Sequence, residues 1–341
     1  MRSDLLPLAE AVRPLYAGVD LGGTNIKSGL VDDLGRTLAF HTEPTHATRG
    51  PEDTAARMGQ SVHALCSRVG IAADDIARVG LGTPGPQDLP TGVILRAGNL
   101  PGWDGFPIRD RVALHCGRPV TFANDANAAA YGEFWMGSAR EFSSLVLLTL
   151  GTGVGGGIII GDTNVEGAHS HGSECGHIIV DTSDTARMCP CGQPGHLEAY
   201  ASATALKARA AETVARDASS RLARAVAAGE ELTPLLVARE AEAGDPTSMD
   251  LILDAARWLG IGIVTLMHTI DPEAVVIGGA MTFGGKASPV GKAFLDRVRQ
   301  EVRSRTFPTL AEKTLIRYAS LGGDAGYIGA AGLARLAHRA G

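Results

Sequence analysis

The sequence predicts an α/β protein built in two halves, and three observations carry that prediction. Short apolar strand patterns alternate with helical ones along most of the chain, the order that builds parallel strands covered by helices. A strand–glycine turn–strand unit occurs at Tyr16–Ala39 and again at Ser144–Gly161, which suggests internal duplication. With 341 residues, 45% hydrophobic and 20% charged, the chain is long for one core and favours two domains. No long Ser/Pro stretch separates the halves, so the domains are expected to pack with a cleft between them.

Each element has a local reason. In the first unit YAGVDL reads as an apolar strand, GG as a turn, IKSGLV as a second strand and DDLG as another tight turn. Residues 52–69 have an amphipathic helical pattern, and Ile76–Leu81 is a strand running into the rigid loop GTPGP. Val120–Ala123 is a short strand, followed by NDANAAAYGEFW, which opens like a helix with Asn124 or Asp125 as its N-cap. After the second unit, residues 201–229 and 236–243 are Ala-, Arg- and Glu-rich and helical, and Asp250–Ile270 is a long buried helix. Val275–Ile277 is a strand running into GGAMTFGG, and Gly326–Arg339 is an Ala-rich helix. The expected division gives residues 1–123 plus the C-terminal helix 325–341 to a small N-terminal α/β domain. Residues 124–324 form a larger C-terminal domain.

Composition removes several functions. A net charge of −6 and 5% aromatic residues argue against nucleic-acid binding, which needs basic surface or stacking platforms. They leave room for a small anionic ligand held by backbone amides. Five Cys, two of them separated by one residue, do not make a disulfide framework and point to a reducing, cytoplasmic setting. The N-terminus lacks a sustained apolar run, so no signal peptide is expected. Leu145–Ile160 is too short and too Gly-rich to span a bilayer.

Several segments carry chemistry. In DLGGT, Gly22 and Gly23 let the backbone approach a bulky anion, Thr24 adds a donor, and Asp20 is placed to hold a hydrated Mg²⁺. LGTGVGGG offers the same features at Gly151, Thr152 and Gly153. Either turn alone also reads as an ordinary hairpin, and neither matches the Walker A pattern. Asp125 ends a strand, where a carboxylate can take a proton from a hydroxyl, and Asn124 can bond hydroxyls; both also read as helix caps. Cys189 and Cys191 form a tight knuckle, and His177 and His196 complete a two-sulfur, two-nitrogen set suited to structural zinc (Zn²⁺). A surface loop with free thiols is the alternative. Glu174 and Glu198 flank these ligands, and carboxylates accept well from vicinal hydroxyls. His177 can serve the metal with one ring nitrogen and a hydroxyl with the other.

The paired turns, one per half, resemble the phosphate loops of the actin-like ATPase superfamily, a duplicated ribonuclease H-like fold whose nucleotide sits between two domains. A third element, the strand end at Gly278 and Gly279, resembles its adenosine loop. From about Tyr16 to Leu336 the motifs VDLGGTNIK, GLGTPGP, NLPGW, NDANAAAYGE, LGTGVGGGI, GSECGH and CPCGQPGHLE resemble, in order, the ROK family of sugar kinases and related repressors. That resemblance implies ATP with Mg²⁺ as phosphoryl donor, and phosphate turns at Gly22–Thr24 and Gly151–Gly153. It implies Asp125 as catalytic base and sugar contacts from Asn99, Asn124, Glu174, His177 and Glu198. It implies zinc on His177, Cys189 and Cys191. The family's fourth zinc position is usually Cys, and His196 stands there in this chain. A homodimer is also implied.

The expected activity is phosphorylation of a hexose at its 6-hydroxyl, glucose first. Fructose, mannose, N-acetylglucosamine and N-acetylmannosamine kinases share the motifs, and polyphosphate is an alternative donor. A sugar-sensing repressor would need a DNA-binding segment ahead of Tyr16, where only a short non-basic stretch stands. A zinc hydrolase would need an open metal position, which four ligands deny. The helical material between Ala208 and Asp245 departs from the family and is expected at the periphery of the second domain.

Overall fold

The computed structural model describes residues 5–96, 100 and 102–341. They fall into two compact units. The first holds the chain up to Ser143, Gly157–Ser173 and Ser320–Gly341, and the second holds Ser144–Gly156 and Glu174–Ala319.

The first unit runs β1 (Leu15–Leu21), β2 (Asn25–Val31), β3 (Thr37–Pro44), α1 (Pro51–Val69) and β4 (Ile76–Thr83). A two-residue hairpin of β5 (Gln87–Asp88) and β6 (Val93–Ile94) precedes α2 (Ile108–Cys116), β7 (Val120–Asn124) and α3 (Asp125–Trp135). The sheet order is β3-β2-β1-β4-β7. β1 pairs antiparallel with β2 and parallel with β4. The central strand β1 is buried along almost its whole length, which is why it reads as a continuous apolar run. Leu15, Val19 and Leu21 share one core with Met58, Val62 and Leu65 of α1 and Val112 of α2.

The second unit begins with β8 (Ser144–Leu150) and the start of β9 (Val154–Ile160), whose far end returns to the first unit and pairs with β10 (Thr163–Asn164). Then follow α4 (Glu198–Ala201), α5 (Ala203–Arg216), α6 (Arg221–Ala227), α7 (Pro234–Glu242), α8 (Pro246–Ile270) and β11 (Ala274–Gly278). α9 (Pro289–Arg305), α10 (Pro308–Lys313) and β12 (Leu315–Tyr318) complete it, and α11 (Ala325–Ala340) closes the chain in the first unit. β11 lies between β8 and β12, parallel to both.

Two sequence expectations change here. The helical run 201–229 is broken: α5 stops before Asp217, and Ser220 caps α6 by accepting from Ala223 N. The first unit also extends past residue 123 to Ser143, because α3 packs along α11. A Cβ on Gly329 would stand 1.6 Å from the Ala128 carbonyl oxygen, and one on Gly132 would stand 2.3 Å from that of Ala325. The opposite face of α11 lies flush on the sheet, since Gly18 and Gly80 each leave 1.8 Å between an added Cβ and a carbonyl oxygen of α11.

By length and composition one helix among the described residues, α8, is apolar enough to cross a membrane, and 56% of its most apolar stretch is buried within the protein. Core helices of globular domains meet that test as well.

Candidate active site

In the first unit, β1 and β7 flank β4 in parallel; β1 carries Asp20 near its end, and Asp125 opens α3 directly after β7. Asp20 pairs across the ladder with Lys27. Its carboxyl is pushed up to about 7, first by burial and then by the neighbouring Asp125, against the opposing charge of Lys27. An added Cβ on Gly326, in the first turn of α11, would stand 2.4 Å from Asp20 Oδ2, so α11 backs this carboxylate directly. Asn124 is the extended N-cap of α3, and its Oδ1 accepts from Ala126 N at 2.9 Å. Asp125 Oδ1 accepts from the same amide at 2.8 Å. These bonds fix both side chains at the strand–helix junction.

The first glycine turn is closed by Gly22 N donating to Asn25 O at 2.9 Å. Thr45, fully buried, holds it from behind. Its hydroxyl donates to Gly22 O at 2.6 Å and its amide to Thr24 O at 2.8 Å. Gly23 and Thr24 are exposed, with the Thr24 carbonyl already taken by the Thr45 amide.

In the second unit the Gly151–Gly153 turn is held more firmly. Ala203 N donates to Gly151 O at 2.9 Å, and the Thr204 hydroxyl donates to Thr152 O at 2.8 Å. Glu198 Oε2 accepts from Val154 N at 2.9 Å. A Cβ on Gly153 would stand 2.2 Å from that oxygen. Gly279 adopts φ 89°, which favours glycine, and packs on Leu150, whose carbonyl accepts from Met281 N at 3.0 Å. Gly278 and Gly279 thus lie at the end of the strand that leads into this turn.

His177, Cys189, Cys191 and His196 come together with their ligand atoms within 4.8 Å of one another. The two Nδ1 atoms are 3.2 Å apart, Cys191 Sγ is 3.2 Å from His196 Nδ1, and Cys189 Sγ is 3.9 Å from His177 Nδ1. A tetrahedral zinc needs edges of about 3.3 Å between nitrogens and about 3.6 Å between nitrogen and sulfur, so the donor set fits. Burial, then His177, lowers the His196 pKa, which favours the neutral imidazole that binds metal. Burial pushes the Cys189 thiol up to about 12, so binding a cation there must expel its proton. His177 Nε2 points the other way, 4.0 Å from Glu174 Oε2.

The structure therefore groups Asp20, Asn124 and Asp125 in one unit, and Glu174, His177, Glu198 and the knuckle in the other. Asn99 lies outside the described residues. Sequence inspection missed the brace supplied by Thr45 and the second task of Glu198, whose Oε2 holds the turn while Oε1 lies 3.7 Å from Cys189 Sγ. The adjacency of the CPCGQPGHLE motif to a glycine turn has no local sequence signal.

The ROK family model matches residues 16–337. A glucokinase of Halalkalibacterium halodurans is 34% identical over 314 residues, covering 92% of this chain and 93% of that protein. A solved ROK hexokinase from Thermus thermophilus shares 34% identity and superposes with a TM-score of 0.80 over 96% of this chain and 100% of that one. A ROK family glucokinase from Streptomyces griseus, solved in complex with glucose and AMPPNP, shares 34% identity at a TM-score of 0.73, over 95% of this chain and 100% of that one. Xylose repressors also stand among the relatives. The duplicated two-unit architecture is the actin-like ATPase fold, and with a family match over nearly its whole length the chain belongs to the ROK family.

Proposed function

We propose that this sugar kinase transfers the γ-phosphoryl group of ATP to the 6-hydroxyl of a hexose, with glucose its preferred acceptor. The observation that carries the proposal is the junction of β7 and α3, where Asn124 and Asp125 are fixed by backbone amides beside Asp20. In this reading Asp125 takes the proton of the 6-hydroxyl as the sugar oxygen bonds phosphorus and the bond to the ADP oxygen breaks. Asn99, Asn124, Glu174, His177 and Glu198 hold the other hydroxyls. The turns Gly22–Thr24 and Gly151–Gly153 hold phosphates through amides other than those of Gly22 and Gly151, which close the turns themselves, and Gly278 and Gly279 pass close to the adenosine. Mg²⁺, when bound, neutralises charge on the phosphates, and Asp20 is its protein anchor. His177, Cys189, Cys191 and His196 hold a structural zinc that takes no part in the chemistry. The assembly we propose is a homodimer in the cytoplasm, working with small molecules and neither nucleic acid nor membrane.

The test is ADP release with ATP and Mg²⁺ across a panel of hexoses, with polyphosphate as a second donor. Turnover on glucose well above the other sugars supports the proposal; preference for fructose or an N-acetylated sugar replaces the substrate and keeps the mechanism. Asp125→Ala should lower kcat by about 10²–10⁴-fold while glucose binding by calorimetry stays nearly unchanged. A variant that keeps most of its kcat removes Asp125 as base. The xylose repressor relatives favour a second reading, a sugar-responsive regulator. Sugar binding without turnover by the unaltered chain would select it.

A further inference from the structure

Glu133, at the far end of α3 from Asp125, is fully buried, and a buried carboxylate is costly unless its oxygens are satisfied. Its partners are all hydrogen-bond donors from two chain segments. Oε2 accepts from Ser138 N at 2.7 Å and from the Ser138 hydroxyl at 2.8 Å, in the turn that follows α3. Oε1 accepts from Ser320 N at 2.9 Å and Leu321 N at 2.7 Å, and the Ser320 hydroxyl reaches Oε2 at 3.2 Å. Three of these five bonds tie α3 to the segment that leads into α11.

That segment runs straight to the reacting groups. Lys27 Nζ donates to Gly323 O at 2.9 Å. Three residues on, the Gly326 backbone abuts the carboxylate of Asp20. α3 carries Asp125 at its other end. The β1–β4–β7 ladder sets the backbone spacing of Asp20 and Asp125, and the seat of α11 on α3 sets the wall against which the Asp20 carboxylate rests. The backbones of the two helices approach too closely to slide without clashing, as Gly132 and Gly329 show.

We propose that Glu133 is a positioning residue for phosphoryl transfer. By clamping Ser320 and Leu321 to α3 it fixes the first turn of α11, and with it the orientation of the Asp20 carboxylate that α11 backs beside Asp125. This rests on Asp125 acting as the base. A carboxylate suits the task because it accepts from every donor at once, whereas a carboxamide offers one acceptor oxygen and turns an N–H toward another N–H.

The test compares Glu133→Gln with the unaltered enzyme, using whichever hexose the latter phosphorylates. The expected result is a folded variant whose kcat falls about tenfold or more, since small misplacements of reacting groups are expensive. KM for sugar and for ATP stays within about twofold. Amide hydrogen exchange at Ser138, Ser320 and Leu321 rises. A lower Tm with kcat and KM unchanged well below the transition overturns the proposal, because Glu133 then only stabilises. Equal losses in kcat and in sugar affinity overturn it as well. Should Glu133→Gln fail to fold, Ser138→Ala combined with Ser320→Ala removes the two hydroxyl bonds and keeps the three backbone ones. A drop in kcat of about threefold at constant KM is then expected, and an unchanged kcat overturns the proposal. Asp125→Ala, run alongside, separates the two ideas. If it keeps its turnover the base assignment fails, whereas an inactive Asp125→Ala beside a fully active Glu133→Gln removes only the role given to Glu133.

Discussion

The two glycine turns share a backbone design and differ in what holds them. Gly22–Thr24 is closed by its own hairpin and braced by a single buried residue, Thr45. Gly151–Gly153 is braced by the start of α5, by Glu198, and through Glu198 by the cysteine–histidine cluster. One turn is held locally. The other depends on residues that follow it by some forty to fifty positions, brought back by the knuckle. Damage to the knuckle should therefore reach the second turn and leave the first unaffected.

The largest expected effect comes from placing a methyl group in each turn. In Gly153→Ala the new Cβ would sit 2.2 Å from Glu198 Oε2, so the Glu198 carboxylate must shift to admit it and its bond to Val154 N is put under strain. kcat/KM for ATP should drop by about 10²-fold. In Gly22→Ala the nearest atom is Asn25 O at 3.0 Å, and a loss of only a few-fold is expected, measured in the same ADP-release assay. Equal losses would erase the distinction between the turns.

Next in size is metal removal. Cys191→Ser, or a strong chelator on the unaltered protein, should release zinc and lower Tm by about 5 °C or more. Exchange protection should fall at Val154 and stay constant at Gly22. A Tm indifferent to chelator would refute a bound structural metal.

Thr45→Ala is a smaller change. It removes one buried hydroxyl bond, a loss of about 1 kcal/mol, which calorimetry should register as a shift in Tm of about 2–4 °C. The second turn should keep its exchange protection.

The smallest effect is one of pH. In the first unit Arg111 and His115 hold the Glu52 carboxyl down to about 2. A group whose folded pKa is depressed adds stability above its unfolded value, and that stability is lost as pH falls through the folded one. The Glu52 contribution should thus be complete above about pH 4.5 and fade toward pH 2. Solvent screening keeps it small, because both partners are exposed. Urea unfolding of Glu52→Gln against the unaltered protein should show a gap that narrows from pH 5 to pH 3; a gap that widens would reverse the sign.

Much of this was legible in the sequence because the signals are local. The strand–turn–strand units announce themselves by alternating apolar runs and glycines, and Asn124 by the cap position it takes. The four ligand residues of the knuckle lie within twenty-odd positions and converge as their types suggest. What escaped were tertiary assignments. The N-cap at Ser220 divides a continuous Ala/Arg-rich run that by propensity alone would stay helical. α3 joins the first unit because glycines on α11 admit it, and nothing in NDANAAAYGE encodes that partner. Glu133 in the same motif looks like an exposed helical glutamate until Ser320 and Leu321 arrive from the far end of the chain.

The seat of α11 has a consequence for how the protein is made. Chains commonly fold from the N-terminus as they leave the ribosome. Here the first unit needs Ser320–Gly341, which follows the whole of the second unit in the sequence. Until then the glycine-lined face of β1 and β4 has no cover, while the second unit, which ends at Ala319, is already fully synthesised. The half that begins the chain is the half that finishes folding last, so arrest or truncation shortly before α11 should yield a nascent protein with its second unit formed and its opening sheet bare, a natural client for a chaperone.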